Sequence, residues 1–357
     1  MNKENWIDVL KGMAICMIIM THCGLYELPG KIGRLFTFGR CSELFFMLSS
    51  YMSFMSYNRF FKGDAKVNGV KWIFRKLLRL LPLYYLAIVF SLIFGGNAYW
   101  LGSFGKVSVW NVLAHLTLTH GFFPHYSNSI IGVEWYLGVL VIFYLFVPLL
   151  YKYVNSFEKT CFFLIVLVLV ISIINPCLIK MCPIHDSYIY VNVINRFSIW
   201  AQMPVLLLGL CFYHLRPFVK KEAEKRKGYR WLSISLLLIS AILLCGQTLA
   251  KNHLYRITDV TLTGLCFFIL MTGVSELKNP DRGLFQFFGM YCYGLFLFHY
   301  PVMHCVDLFY PKAENAFGMV VRFVLVFVCT LMLTIVLTKY VDKPIQRVVK
   351  KASLSIK

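Results

Sequence analysis

Residues 6–24 read WIDVLKGMAICMIIMTHCG, an apolar run interrupted by Asp8, Lys11 and His22. An ionisable group inside a spanning helix costs about 2.5–3.5 kcal/mol on insertion scales, so it faces a polar cavity or a partner rather than lipid. Lys11 and His22 are eleven residues apart, almost a whole number of helical turns and roughly 16 Å of rise. On a helix they share one face at two depths, and that face is expected to line a reaction path.

The rest of the chain has the same character. Of 357 residues 59% are hydrophobic and the mean hydropathy is +0.68, values that belong to a polytopic membrane protein. The first run is long, and Thr21 to Gly24 form no small-residue cleavage pattern, so helix one is expected to remain as an anchor. Apolar runs of about 20 residues, the length a roughly 30 Å hydrocarbon core demands, occur at ten places. They lie at about 6–26, 38–57, 79–98, 133–151, 161–180, 197–214, 231–249, 258–275, 286–306 and 318–340. The run at 108–118 is too short and polar to span and is expected to form a loop helix. The expected fold class is all-α: a bundle of about ten transmembrane helices forming one membrane domain over 1–357, with no appended soluble domain.

Charge placement orients the bundle. With the N-terminus inside, segments 1–5, 58–79, 152–160, 215–230, 276–285 and 339–357 face the cytoplasm and hold 25 Lys and Arg, against 10 elsewhere apart from Lys11. Cytoplasmic loops carry such an excess, so both termini are expected inside and loop 99–132 outside, in a multi-pass protein of the inner (cytoplasmic) membrane. The same bias accounts for the net charge of +20: basic loops hold an anionic inner leaflet or an anionic cofactor, and no nucleic-acid-binding module is evident. The twelve cysteines show no CxxC pair and no Cys/His spacing suited to zinc, so no metal is expected. Cys177 and Cys182, near one external loop, are the candidate disulfide.

Several residues stand out chemically. Glu43 precedes Phe45-Phe46-Met47-Leu48-Ser49-Ser50-Tyr51, as an outer-end carboxylate reaching interface water or as a reacting group. Arg75, Lys76 and Arg79 are spaced to form one cationic helix surface at the inner boundary, either anchoring topology or gripping phosphate oxygens. His115, His120 and His125 recur every five residues, which is not ligand spacing, and are expected to contact an acceptor or to be surface residues. Glu134 beside Trp135 suits an interfacial anchor or sugar binding. His299 is deep in an apolar run, as an interhelical hydrogen-bonder or a chemical group. Asp342 is expected to pair with Arg or Lys.

Together these segments resemble the membrane-bound acyltransferase-3 family over nearly the whole chain. That family's helix-one pattern of Arg or Lys, ten residues, then His is similar to Lys11 to His22, and its "ldglrg" stretch to Ile7-Asp8-Val9-Leu10-Lys11-Gly12. The "FFvlSGf" motif resembles Phe45 to Tyr51, with Ser50 for Gly, and "RrxxRixP" resembles Arg75-Lys76-Leu77-Leu78-Arg79-Leu80-Leu81-Pro82. "SYglYLwHyP" is similar to Cys292-Tyr293-Gly294-Leu295-Phe296-Leu297-Phe298-His299-Tyr300-Pro301, and "ErP" to Asp342-Lys343-Pro344. One position departs: where many members carry a Glu five residues after the fourth-helix Trp, this chain has Leu140, with Glu134 on the other side of Trp135.

The resemblance implies an integral membrane O-acyltransferase of glycans. Its donor would be acyl-CoA, acetyl-CoA foremost, on the cytoplasmic side, and its acceptor a hydroxyl of an extracytoplasmic polysaccharide or glycolipid. Arg75, Lys76 and Arg79 would dock the CoA phosphates, with Lys11 and the face running to His22 as the track for the pantetheine arm. His22 would act as general base or transient acyl carrier, with Glu43 as its orienting carboxylate, and Glu134, Trp135 and His299 would contact the acceptor. The alternative is a transporter or flippase for a lipid-linked glycan, against which stands the absence of repeat symmetry between halves.

Overall fold

The computed structural model of the chain describes residues 4–27, 41–63, 69–94, 107–182, 187–225, 256–277, 283–311 and 315–348, with five further positions between 233 and 239. Among the described residues every regular element is helical.

Helix α1 (Asn5–His22) is the axis of the bundle. Leu10, Ala14, Ile15 and Ile19 are fully buried, so its polar residues meet protein rather than lipid. Among the described residues, five helices are long and apolar enough to cross a membrane, over Gly69–Phe94, Trp135–Tyr153, Phe157–Lys180, Tyr188–Glu222 and Ala316–Val348, and α1 is not one of them. The contrast is physical: the α1 sequence tolerates Asp8, Lys11 and His22 because neighbouring helices enclose it. Phe157–Lys180 is the opposite case, with Phe162 and Ile173 each 71% exposed, the surface of a helix that faces lipid. The chain is a multi-pass membrane protein.

After α1 come α2 (Cys41–Gly63), α3 (Gly69–Phe94) and the short α4 (Val109–Leu116). The α4 helix is the loop helix expected at 108–118, started by Ser108, whose side chain accepts the Asn111 amide at 3.2 Å. Helices α5 (Trp135–Tyr153) and α6 (Phe157–Lys180) follow. Next are α7 (Ser187–Asn192), a π-turn over Val193–Phe197, α8 (Ile199–Lys225) and α9 (Arg256–Ser275). The chain continues through α10 (Leu284–Met290), α11 (Cys292–Asp307) and α12 (Ala316–Leu337), the last running into a π-turn over Thr338–Asp342.

The crossing of α1 and α10 is a backbone contact. A Cβ on Gly12 would run into the Phe285 carbonyl, and one on Gly289 into the Asp8 carbonyl. Only two glycines let these helices approach so closely, and they place the N-terminal half of α1 between α2 and α10.

Some expected boundaries shift. The run expected at 79–98 begins at Gly69, because residues 70–78 hold neither glycine nor proline although they are too basic to look like a span; Arg75, Lys76 and Arg79 therefore lie inside α3 rather than ahead of it. The run 286–306 is broken at Tyr291 into α10 and α11. The expected span 231–249 falls almost wholly outside the described residues. Cys177 and Cys182 are both free. Each thiol bonds back to a carbonyl four residues earlier, of Ile173 and Leu178, because five residues along one helix end turn the two side chains to different sides.

Candidate functional site

A cavity of about 700 Å³ opens between α1, α2, α3, α5 and the Met290–Gly294 break. Lys11, Arg59, Lys76 and Arg79 line it together with Glu4, Asp8 and Asp342, and Ser49, Ser53, Ser56, Tyr136 and Tyr144 add hydroxyls. Along α2 its lining runs from Phe45 to Arg59, roughly 21 Å of helix. Arg59 and Glu4 also line an adjoining cavity of about 490 Å³ that holds Arg216 and Lys220. Cations therefore gather where the two spaces meet, and Phe45, Tyr136 and Phe296 form an aromatic floor, packed on one another at ring separations of 5.1–6.2 Å.

A histidine pair lies one ring beyond that floor. Phe296 packs on His299 with 6.1 Å between centroids, and His299 on His22 at 5.3 Å. His22 ends α1, and its Nδ1 is 3.0 Å from the Tyr300 hydroxyl. His299 is fully buried; its Nδ1 is 2.7 Å from the Phe296 carbonyl and 3.2 Å from that of Leu295. The turn after His22 is clamped as well: Arg322 donates to the Cys23 carbonyl at 2.9 Å and grips Asp307 with two bonds of 2.7 Å. Such a bidentate pair fixes direction as well as distance.

The segment ahead of α5 supports Tyr300 from the other side. Glu134, fully buried, accepts the amides of Ile130 and Gly132, both at 2.6 Å, and faces His115 Nε2 at 3.4 Å. Burial by itself would raise the Glu134 carboxyl, but the His115 contact and the backbone amides hold it below the usual carboxylate range. His115 stacks on His120 at 4.5 Å, and His120 Nε2 donates to the Glu134 carbonyl at 3.1 Å. Burial, reinforced by His115, pushes His120 down to about 4. Gly132 adopts φ +97°, and a Cβ there would press within 3.2 Å of the Tyr300 ring. Glycine both permits that backbone and leaves room for the tyrosine.

The structure sorts the residues singled out in the sequence. Lys11, Lys76 and Arg79 converge on the cavity, whereas Arg75 lies over the Phe60 ring at 5.0 Å and does not line it. His22 and His299 meet, but the Lys11–His22 face is no open track: Ile15 and Ile18, between them, are 0% and 2% exposed. The polar path follows Ser49, Ser53 and Ser56 of α2 instead. Glu43 is buried against Ser42 and faces Arg196 at 3.9 Å; the His22 ring is held by Tyr300. Glu134 and Trp135 turn inward, Trp135 packing on Phe46 and Phe197, because the 128–134 segment folds its amides onto the carboxylate. His115 and His120 are core residues, not surface ones, for the same reason. Asp342 takes a hydrogen bond from Gln346, four residues on, at 3.2 Å. Residues missed in the sequence are Arg59, which reads as one more loop cation, Tyr300, visible only as the neighbour of His299, and Arg322, a single cation in an apolar run.

The sequence matches the acyltransferase-3 family, described as an acyltransferase domain, over residues 4–339. No curated protein and no solved structure matches it.

Proposed function

The chain belongs to this acyltransferase family, and from that premise we propose that it carries an acyl group, acetyl in the simplest case, from cytoplasmic acyl-CoA to a hydroxyl of an extracytoplasmic polysaccharide or glycolipid. On this reading about ten helices span the inner membrane with both termini in the cytoplasm. The observation that carries it is the cavity whose lining combines four cations with an aromatic floor one ring away from the His22–His299 pair.

The charged nucleotide of the donor would stay among Arg59, Lys76 and Arg79, since an ionised group entering the apolar interior pays a large desolvation cost. The neutral pantetheine arm passes along the serines of α2 and brings the thioester to the aromatic floor. Displacement of a ring there admits the thioester to the His299–His22 pair, where His22 works at its carbonyl. A flippase would need a route that continues past the floor for a whole saccharide; a cavity that ends on an aromatic floor backed by two histidines favours chemistry.

Inside-out vesicles containing the protein, supplied with radiolabelled acetyl-CoA, test the proposal. Label in lumenal carbohydrate, absent without the protein, is the expected result. Saccharide translocation with the thioester left intact would replace the enzyme by the carrier.

A further inference from the structure

His299 has its tautomer fixed by its neighbours. Carbonyl oxygens only accept, so Nδ1, which faces those of Phe296 and Leu295, carries the hydrogen. Nε2 is then the bare nitrogen, buried and without a hydrogen-bond partner among the described residues. Both bonds of His299 go to its own helix, so it does not tie two helices together, and a buried acceptor left without a donor is costly. Beside it, His22 already has Nδ1 engaged by Tyr300.

We infer that Nε2 of His299 receives the proton of the acceptor hydroxyl, and that the two histidines divide the reaction, His299 serving the acceptor and His22 the thioester. This rests on the acyl-transfer reading above. As the hydroxyl oxygen bonds to the thioester carbonyl carbon, its proton passes to His299 Nε2. The tetrahedral adduct then collapses with cleavage of the C–S bond, and the proton leaves on the CoA sulfur by way of the neighbouring His22, 5.3 Å away ring to ring. The products are an ester and a free thiol, and both histidines end as they began.

Hydroxylamine separates the roles, because it attacks a thioester as a neutral amine with little need for a base. Vesicles with acetyl-CoA are assayed for acetylation of their own glycan and, with hydroxylamine added, for acetyl hydroxamate. A general base contributes about 10²–10⁴-fold. His299→Ala should therefore lose glycan acetylation about 100-fold or more, while hydroxamate formation stays within about threefold and acetyl-CoA KM within about twofold; His22→Ala should lose both products. Should His299→Ala fail to fold, His299→Asn, whose amide can still donate to Phe296, takes its place in the comparison. Equal loss of both products in a folded His299 variant, or retained glycan acetylation, overturns the inference. A wild-type protein forming neither product overturns acyl transfer itself.

Discussion

The Tyr300 hydroxyl lies 3.0 Å from Nδ1 of His22, joining residues 278 positions apart. The bond fixes the imidazole at the very end of α1, where a side chain would otherwise turn freely. Tyr300→Phe keeps the ring against Gly132 and removes the hydroxyl, so the acyl-transfer rate should fall about fivefold, in line with a net hydrogen bond near 1 kcal/mol, with donor KM unchanged. His22→Ala should abolish transfer in a protein that still folds and inserts. Normal acceptor modification by that variant would remove His22 from the chemistry.

The cationic residues of α3 should behave unequally. Lys76→Ala and Arg79→Ala each remove a charge from the cavity wall and should raise acyl-CoA KM at least about tenfold, since charge-assisted bonds are worth about 1.5–3 kcal/mol. Arg75→Ala, outside that wall, should change KM less than about twofold. Steady-state kinetics with acetyl-CoA decide it, and an Arg75 effect as large as that of Arg79 would mean the donor sits on the helix surface.

Gly12→Ala should prevent assembly of the bundle. The added methyl meets the Phe285 backbone, which cannot step aside like a flexible side chain. The neighbouring Ala14→Gly, also on α1, should be mild by comparison. Yield of monodisperse protein in detergent and its thermal midpoint measure the difference.

Acid should loosen the segment that carries Glu134. The His120 value of about 4 lies below its ordinary 6.5, so protonation opposes folding: the segment keeps its full stability above about pH 6.5 and loses it as the pH falls toward 4. Glu134, held below its ordinary 4.5, acts in the same sense, its contribution being present above that value and lost as pH falls through the lower folded one. Protection of the amides of residues 107–134 against hydrogen exchange, corrected for the intrinsic pH dependence of exchange, should fall between pH 6.5 and 4.5, and His120→Gln should flatten the upper part of that decline. Protection that is indifferent to pH would disprove the coupling.

Lys11, His22 and His299 declare themselves in the sequence because charged or polar groups in apolar helices need a reason, and hydropathy places α5, α6 and α12 within a few residues. The start of α3 is hidden because hydropathy measures apolarity and not helicity, so its basic first turns read as loop. The inward turn of Glu134 is hidden for another reason: a carboxylate is buried only when particular amides reach it, and no spacing rule encodes how residues 128–134 curl. Tyr300 meeting His22 depends on α1 and α11 packing side by side, a relation between distant segments that one sequence does not display.

The backbone crossing of Gly12 and Gly289 also sets an order of manufacture. Helix α1 leaves the ribosome well before α10, yet the surface it docks on is encoded 277 residues later, from 12 to 289. At about 5–20 residues per second that is a wait of roughly 15–55 s. During it Asp8 and Lys11, 4.0 Å apart on successive turns, offset each other's charge, so the helix enters the bilayer as a near-neutral pair. A segment synthesised early thus waits for one synthesised late, and a chain stopped short of Phe285 would leave the Gly12 face of α1 without its partner.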